Sequence, residues 1–246
     1  MNNFLKGFIQ TSFIDWKKHL SSVIFTGGCN FRCPYCHNKD LVLGHKDMES
    51  VPVDYIYRIL RKYKNWTDHV VITGGEPTIH ADHLLELITA LKNEGFYVKL
   101  DTNGSCPDVL HQCIKSRLVD YIAMDAKGPV STYSKWAGVN VDSKKIEESI
   151  AAIIGSGIDH EFRMTVVPYL HQEEDIQNVA QMLKDAQNFY VQRFRPTVTL
   201  NEDYQLIPQQ PVDEFQIIKE KYEKENGCGK FETKNKNVCD FALSTT

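Results

Sequence analysis

Short apolar runs alternate with amphipathic stretches along most of this chain. Runs rich in β-branched and aromatic residues predict six buried strands, at 22–25, 69–72, 96–100, 121–124, 162–167 and 189–194. Between and after these runs, apolar residues recur at helical spacing, which predicts helices at 53–63, 83–91, 109–114, 146–154, 176–183 and 212–222. Strands that alternate with helices of this length indicate repeated βαβ units and a parallel sheet.

The predicted fold class is therefore α/β. Six strands fit either an open doubly wound sheet or a partial (β/α)6 barrel, and the periodicity does not choose between them. We expect one domain over residues 1–246, with a core at about 20–200 and a C-terminal extension at 201–246. In both folds the functional loops follow the carboxyl ends of the strands.

Four of these loops contain polar or metal-binding residues. Cys29 follows the first predicted strand, residues 74–77 follow the second, residues 101–104 end the third, and residues 125–127 follow the fourth. Because the carboxyl ends of parallel strands meet at one edge of the sheet, the sequence predicts a single active site there.

The composition excludes several classes of protein. Of 246 residues, 42% are hydrophobic and 24% are charged, as in an ordinary globular protein. The net charge of −4, without a basic stripe, argues against nucleic acid as the main partner. No apolar run approaches the ~18 residues that a membrane span needs, and the first residues lack a secretory signal. We expect a cytoplasmic protein with no membrane partner.

Three of the seven cysteines lie within eight residues of one another. Cys29, Cys33 and Cys36 have the spacing C-x3-C-x2-C, which is typical of thiolates that share one metal centre. A structural zinc normally needs four ligands, whereas three thiolates suit a [4Fe-4S] cluster with one iron left open. A zinc knuckle and three unrelated buried cysteines are the alternatives.

With Tyr35 at the aromatic position, this loop resembles the C-x3-C-x-aromatic-C loop of the radical SAM superfamily, which uses a [4Fe-4S] cluster and S-adenosylmethionine (SAM). The continuation 36–38, Cys-His-Asn, and the opening residues 6–8, Lys-Gly-Phe, are similar to those of glycyl-radical-enzyme activases. The resemblance is closest to activating proteins of the anaerobic ribonucleotide reductase. It implies a partial (β/α)6 barrel of parallel strands, the radical SAM core.

The resemblance also implies roles for the other loops. The Gly-Gly-Glu-Pro at 74–77 resembles the family motif that holds the SAM ammonium, and the Asp-Thr-Asn-Gly at 101–104 and Asp-Ala-Lys at 125–127 resemble activase motifs that line a SAM and monovalent-cation site. Ordinary turns and a surface ion pair are the alternatives. The residues implied for cofactor binding are Tyr35, Gly74, Gly75, Glu76, Asp101, Thr102, Asn103, Asp125, Lys127 and Arg163.

Arg163 lies inside the fifth apolar run, where an arginine needs an anionic partner. The resemblance implies contact with the SAM carboxylate or ribose, and a buried salt bridge to Asp125 or Glu161 is the alternative. The four remaining cysteines do not repeat the cluster spacing. We expect Cys106 and Cys113 to be buried small hydrophobes, and Cys228 and Cys239 lie in a polar tail.

The function implied by the resemblance is hydrogen abstraction from a glycine of a partner enzyme. The partner is then a glycyl radical enzyme, the anaerobic ribonucleotide reductase, and a flavodoxin or ferredoxin donates the electron. Two other functions remain open at this point. One is a radical SAM enzyme of a small molecule, resembling the synthases of deazapurine biosynthesis, and the other is a non-enzymatic electron carrier with an iron–sulfur or zinc centre.

Overall fold

The computed structural model describes residues 4–44 and 48–225. In this part of the chain eight strands form one sheet, and their order in space is their order along the chain. The strands are β1 (Leu5–Ser12), β2 (Ser21–Thr26), β3 (His69–Gly74), β4 (Tyr97–Thr102), β5 (Tyr121–Asp125), β6 (Asp159–Val166), β7 (Asn188–Arg193) and β8 (Lys224–Glu225). The helices are α1 (Lys39–Leu43), α2 (Val53–Tyr63), α3 (Ala81–Asn93), α4 (Pro107–Lys115), α5 (Tyr133–Ala137), α6 (Ser143–Gly155), α7 (Glu173–Met182) and α8 (Val212–Tyr222).

The six strands from β2 to β7 are parallel, and they are the six strands that the sequence predicts. A doubly wound sheet reverses its strand order part-way, whereas this sheet continues in one direction from β2 to β7. The partial barrel is therefore confirmed. The sheet does not close, because β1 and β8 form its two edges.

The two edge strands were not predicted. β1 pairs with β2 and β8 pairs with β7, both antiparallel. Half-exposed and exposed residues make up most of β1, so it has no continuous apolar run. β8 has two residues, which are paired with Asn188 and Phe189. The short helices α1 and α5 were also missed, since five residues are too few to show a helical period.

The two faces of the sheet differ, as the alternation of side chains along a strand requires. On the outer face, Ile24, Ile72, Leu100 and Ile122 are register partners on neighbouring strands and are fully buried in the main core with the helices. On the inner face, Val23 and Val71 form a small separate core with Trp16 from the loop after β1.

The inner face also contains buried charges. Lys99 on β4 is the register partner of Val71, and its Nζ lies 3.1 Å from Oε1 of the buried Glu161 on β6. The barrel interior is therefore apolar beside β2 and β3 and charged beside β4 and β6. No helix in the described residues is long and apolar enough to cross a membrane.

Candidate active site

A cavity of about 260 Å³ lies at the carboxyl ends of the parallel strands. Loops that follow β2, β3, β4 and β5 meet there, and all of the predicted site residues except Tyr35 line it. The lining includes Cys29, Cys33, Cys36, Gly74, Gly75, Glu76, Asp101, Thr102, Asn103, Asp125, Lys127 and Arg163. Tyr35 is buried outside the lining, with its ring edge-on to the ring of His171.

The three cysteines of the loop after β2 are free thiols. Burial raises the pKa of Cys29 to about 12 and that of Cys33 to about 11, so both thiols are protonated near neutral pH unless a positive centre binds them. Among the described residues, no three Cys, His, Asp or Glu side chains converge on one point as a single metal ion requires. The thiolates that hold a [4Fe-4S] cluster do not converge on one point, because each of them binds a different iron atom.

Backbone hydrogen bonds from several elements hold the cysteine loop. The amide of Arg32 donates to the carbonyl of Ala137 at the end of α5. The amide of Leu200 donates to the carbonyl of Cys36, and that of Asn201 to the carbonyl of Pro34, both at 2.9 Å. The segment after β7 therefore contacts the loop directly, which the sequence did not predict.

Gly74, the last residue of β3, and Gly75 bring the end of this strand against the cysteine loop. A Cβ on Gly75 would lie 1.8 Å from the carbonyl oxygen of Gly28, a distance that no side chain tolerates. The amide of Gly75 donates to the carbonyl of Thr26, and the amide of Glu76 donates to that of Gly28. The glycines are thus required for contact between two protein segments, besides any approach to a ligand.

Glu76 is fully buried, and protein donors occupy both of its carboxylate oxygens. Oε1 accepts from the Thr78 amide and hydroxyl and from the Thr102 hydroxyl, and Oε2 accepts from the Asn103 amide at 2.6 Å. Burial raises the pKa of Glu76, and these hydrogen bonds oppose that rise. In this structure Glu76 connects the loop after β3 to the loop after β4.

Asp125 lies between two cations at the end of β5. Its Oδ1 accepts from Arg163 Nε at 2.9 Å, and its Oδ2 accepts from Lys127 Nζ at 3.1 Å. Burial alone would raise the pKa of Asp125, but the charges of Arg163 and Lys127 hold this pKa well below its usual value. From the sequence, a salt bridge from Arg163 to Asp125 or Glu161 was the alternative to a contact with SAM, and the salt bridge to Asp125 is present.

Arg163 also joins Asp125 to the carboxylate of β4. Its Nη1 lies 3.2 Å from Asp101 Oδ2 and 3.8 Å from Glu161 Oε1. The other oxygen of Asp101 is buried and has no hydrogen-bond partner, and Lys99 Nζ is 3.8 Å from it. A buried acceptor without a donor is uncommon in proteins, and it leaves a position for a ligand or cation.

Two residues that sequence reasoning missed hold the backbone of 125–127. The Tyr133 hydroxyl donates to the carbonyl of Asp125 and accepts from the amide of Lys127, both at 3.2 Å. His171 Nδ1 accepts from the amide of Val167, so Nε2 bears the hydrogen and donates to the carbonyl of Lys127 at 3.0 Å. Burial lowers the pKa of His171 to about 4, which keeps it neutral.

A larger open cavity of about 980 Å³ shares Gln192 with the first one. It lies beside the carboxyl end of β7, between that strand and α8. The described residues of its lining include Arg193, Arg195 and Lys219 but no Asp or Glu. His37, next to Cys36, also lines it and contacts the Arg195 carbonyl through Nε2 at 2.7 Å. Arg193 and Arg195 therefore give the lining positive charge, whereas Lys219 lies 3.8 Å from Glu223.

The remaining cysteines lie away from the thiol loop in sequence. Cys113 on α4 is fully buried in the main core, as predicted, and Cys106 is half-buried at the start of the same helix. Cys228 and Cys239 lie outside the described residues.

Comparison with known proteins identifies the family. The model of the radical SAM superfamily matches residues 23–186, about two thirds of the chain. The chain belongs to the radical SAM superfamily. Members of this family use a [4Fe-4S] cluster and SAM, so the resemblance drawn from the cysteine loop is confirmed. The side chains of the strand-end cavity fit the cluster and SAM. The cavity contains three free thiols, the cations Lys127 and Arg163, and Asp101, one oxygen of which has no hydrogen-bond partner.

Two curated relatives align with most of this chain. A protein of Methanocaldococcus jannaschii, provisionally named a glycyl-radical enzyme activating enzyme, is 35% identical over 222 residues, covering 89% of this chain and 91% of its own. The pyruvate formate-lyase-activating enzyme of Clostridium pasteurianum is 25% identical over 222 residues, covering 84% of this chain and 91% of its own.

Solved structures share the fold. Streptococcus suis SuiB bound to its precursor peptide SuiA superposes with a TM-score of 0.60 at 18% identity, over 83% of this chain and 47% of SuiB. This chain thus matches less than half of SuiB. A domain of the pyruvate-formate lyase-activating enzyme of Bacteroides vulgatus superposes with a TM-score of 0.50 at 14% identity, over 61% of this chain and 89% of that domain.

Proposed function

We propose that this radical SAM protein activates a glycyl radical enzyme. The observation that supports this most strongly is the meeting of three motifs in one cavity: the C-x3-C-x2-C loop, the Gly-Gly-Glu-Pro after β3 and the Asp-Thr-Asn-Gly at the end of β4. The relative from Methanocaldococcus jannaschii, which aligns over 89% of this chain, is named for the same activity.

Cys29, Cys33 and Cys36 are proposed to hold the [4Fe-4S] cluster. Their loop is fixed by backbone hydrogen bonds from the end of α5, from the end of β3 and from residues 200–201. Three thiolates would leave one iron without a protein ligand, and that iron would be open to SAM. When bound, the cluster would supply a single electron and SAM would supply the adenosyl group, the chemistry needed to remove a hydrogen atom from the substrate.

The residues around the cysteines are proposed to bind and orient SAM. Arg163 and Lys127 supply positive charge for its carboxylate, and both already lie in the cavity beside Asp125. The backbone of Gly74 and Gly75 borders the same cavity next to the buried Glu76. The free oxygen of Asp101 is the acceptor that a monovalent cation or the SAM ammonium would use.

The larger cavity is proposed to admit the glycine segment of the partner enzyme. Gln192 lines both cavities, so a segment bound beside β7 would lie next to the proposed cofactor site. An extended segment is the appropriate shape for an opening of this size. We propose anaerobic ribonucleotide reductase as the partner and a flavodoxin or ferredoxin as the electron donor.

An anaerobic EPR experiment tests this function. Reconstituted protein is reduced and mixed with SAM and anaerobic ribonucleotide reductase, and we expect the doublet of a stable glycyl radical. The signal should be absent with Cys36→Ala and with a partner whose radical glycine is replaced by alanine. If 5′-deoxyadenosine is formed but no candidate glycyl radical enzyme gains a radical, the activase function is wrong and a small-molecule substrate replaces it.

A further inference from the structure

Asn103, at the end of β4, connects the two loops of the proposed site. It is buried, with 5% of its surface exposed. Its main-chain amide donates to Glu76 Oε2, and its side chain faces the cysteine loop. Asn103 Nδ2 lies 3.0 Å from Asn30 Oδ1 and 3.8 Å from Cys29 Sγ. The side chain therefore contacts a proposed cluster ligand directly.

The contacts determine which way the Asn103 amide points. The main-chain amide of Ser105 donates to Asn103 Oδ1 at 2.9 Å, and a backbone amide can only donate. The oxygen of Asn103 thus faces Ser105, and the NH2 group faces Asn30 and Cys29. Asn30 is held in turn, because its Nδ2 donates to Ser105 Oγ at 2.8 Å while its Oδ1 accepts from Asn103. One hydrogen of Asn103 goes to Asn30, and the other points to the sulfur.

We propose that Asn103 raises the reduction potential of the cluster by donating this N–H to the sulfur of Cys29. The proposal rests on the proposed function in one respect, that Cys29 is a cluster ligand. It gives Asn103 a role at the sulfur instead of the SAM contact that the sequence resemblance implied. Asn103 is here a positioning and tuning residue and takes no part in bond breaking.

The physical reason is the charge that reduction adds. A one-electron reduction makes the cluster and its thiolates more negative, so a donor at the sulfur stabilises the reduced form more than the oxidised form. The effect is larger in a buried site, where water does not screen the hydrogen bond. Cys29 already accepts from the amide of Phe31 at 3.3 Å, and Asn103 supplies a second donor.

The test is an anaerobic redox titration of the reconstituted protein without SAM, followed by EPR of the reduced cluster. Asn103→Leu removes the donor and keeps the branched shape of the side chain in a larger volume, and Asn103→Asp retains the acceptor for the Ser105 amide but removes the donor and adds negative charge. We expect the midpoint potential to become more negative in both variants, with the larger shift in Asn103→Asp. Having two variants keeps the test decisive if one of them fails to assemble a cluster.

Ser105→Ala is the matched control. Ser105 lies in the same buried loop, but its hydroxyl contacts Asn30 and Cys106 and not Cys29, and its backbone amide remains to orient Asn103. We expect a wild-type potential for this variant. A merely structural role for Asn103 would lower the thermal unfolding temperature of the apo-protein and leave the potential of the assembled cluster unchanged.

Wild-type potentials in both Asn103 variants, or shifts to more positive values, would overturn the proposal. A protein that assembles no [4Fe-4S] cluster at all would instead contradict the proposed function, so the two failures are distinguishable. An independent readout is the exchangeable proton near the cluster in ENDOR spectra. We expect its hyperfine coupling to disappear in Asn103→Leu and to persist in Ser105→Ala.

Discussion

Arg163 Nε donates to Asp125 Oδ1 at 2.9 Å and so joins β6 to the carboxyl end of β5. The same guanidinium lies 3.2 Å from Asp101 on β4, which makes Arg163 the cation between two carboxylates. Arg163 and Asp125 are register partners in the sheet, and no intervening segment separates them. The ion pairs of Arg163 therefore connect the neighbouring strands β4, β5 and β6 at the strand-end cavity.

Removal of the Arg163 charge should destabilise the protein. In Arg163→Gln the carboxylate of Asp101 retains only the more distant Lys99, and because these side chains are partly exposed we expect a loss of about 2 kcal/mol in the free energy of unfolding. Urea unfolding of the apo-protein, followed by circular dichroism, measures it. Arg61→Gln breaks a solvent-exposed pair with Glu94 and should leave the midpoint unchanged. Equal midpoints for both variants would show that the half-buried ion pairs of Arg163 contribute nothing to stability.

The sequence predicted the parallel part of the fold well because buried strands appear as continuous apolar runs. The edge strands show no such run. β1 is half-exposed, and β8 consists of only two residues, which form a strand by pairing with Asn188 and Phe189. Pairing with a distant segment leaves no local pattern, so both were missed.

Each motif of the site is a short continuous segment of the sequence. Because each segment follows a predicted strand, the sequence predicted that they meet at one edge of the sheet, and they line one cavity there. Tyr133 and His171 are different, because they act on backbone atoms of 125–127 that lie six or more residues away along the chain. A histidine bonded to a carbonyl has no sequence signature. The turn of Glu76 towards Thr102 and Asn103 also depends on how β3 and β4 pack, which spacing alone does not give.

Gly75→Ala should damage both the fold and the cluster site. Its Cβ would overlap the carbonyl of Gly28, so the end of β3 has to move away from the cysteine loop. We expect a loss of about 1–3 kcal/mol in the free energy of unfolding and a lower iron content after reconstitution. Thermal unfolding and iron and sulfide analysis measure the two effects.

Gly155→Ala is the control for this substitution. Gly155 is the last residue of α6, and a Cβ there meets no atom within 4 Å. We expect unchanged iron content and an unchanged or slightly higher stability, because alanine favours a helix by up to about 1 kcal/mol over glycine. If Gly75→Ala behaved like Gly155→Ala, the close contact between β3 and the cysteine loop would be wrong.

His171 should make the stability of the apo-protein depend on pH. Its pKa is about 4 in the folded protein and about 6.5 when exposed, so the unfolded chain binds the extra proton between these values. The contribution of His171 to the free energy of unfolding is then constant above about pH 6.5 and falls as the pH decreases towards 4, by roughly 2 kcal/mol between pH 7 and 4.5. Asp175 and Lys135 are charged groups close enough to affect this pKa, in opposite directions.

Urea unfolding at a series of pH values checks this dependence. His171→Gln should be less stable than the wild type at pH 7, since the ring also stacks on Trp136 at 4.3 Å between centroids. Its stability should vary less between pH 7 and 4.5 than that of the wild type. Parallel curves for the two proteins would mean that His171 is not the residue that titrates.

The central claim is that three cysteines hold a [4Fe-4S] cluster whose fourth iron is open to SAM. Mössbauer spectra of anaerobically ⁵⁷Fe-reconstituted protein, recorded with and without SAM, test it most directly. We predict that one of the four iron sites changes when SAM is added, in the wild type and in Cys113→Ala alike, and that Cys33→Ala forms no such cluster. Four thiolate-bound irons that do not respond to SAM, or a protein that retains zinc and takes up no iron, would contradict the claim.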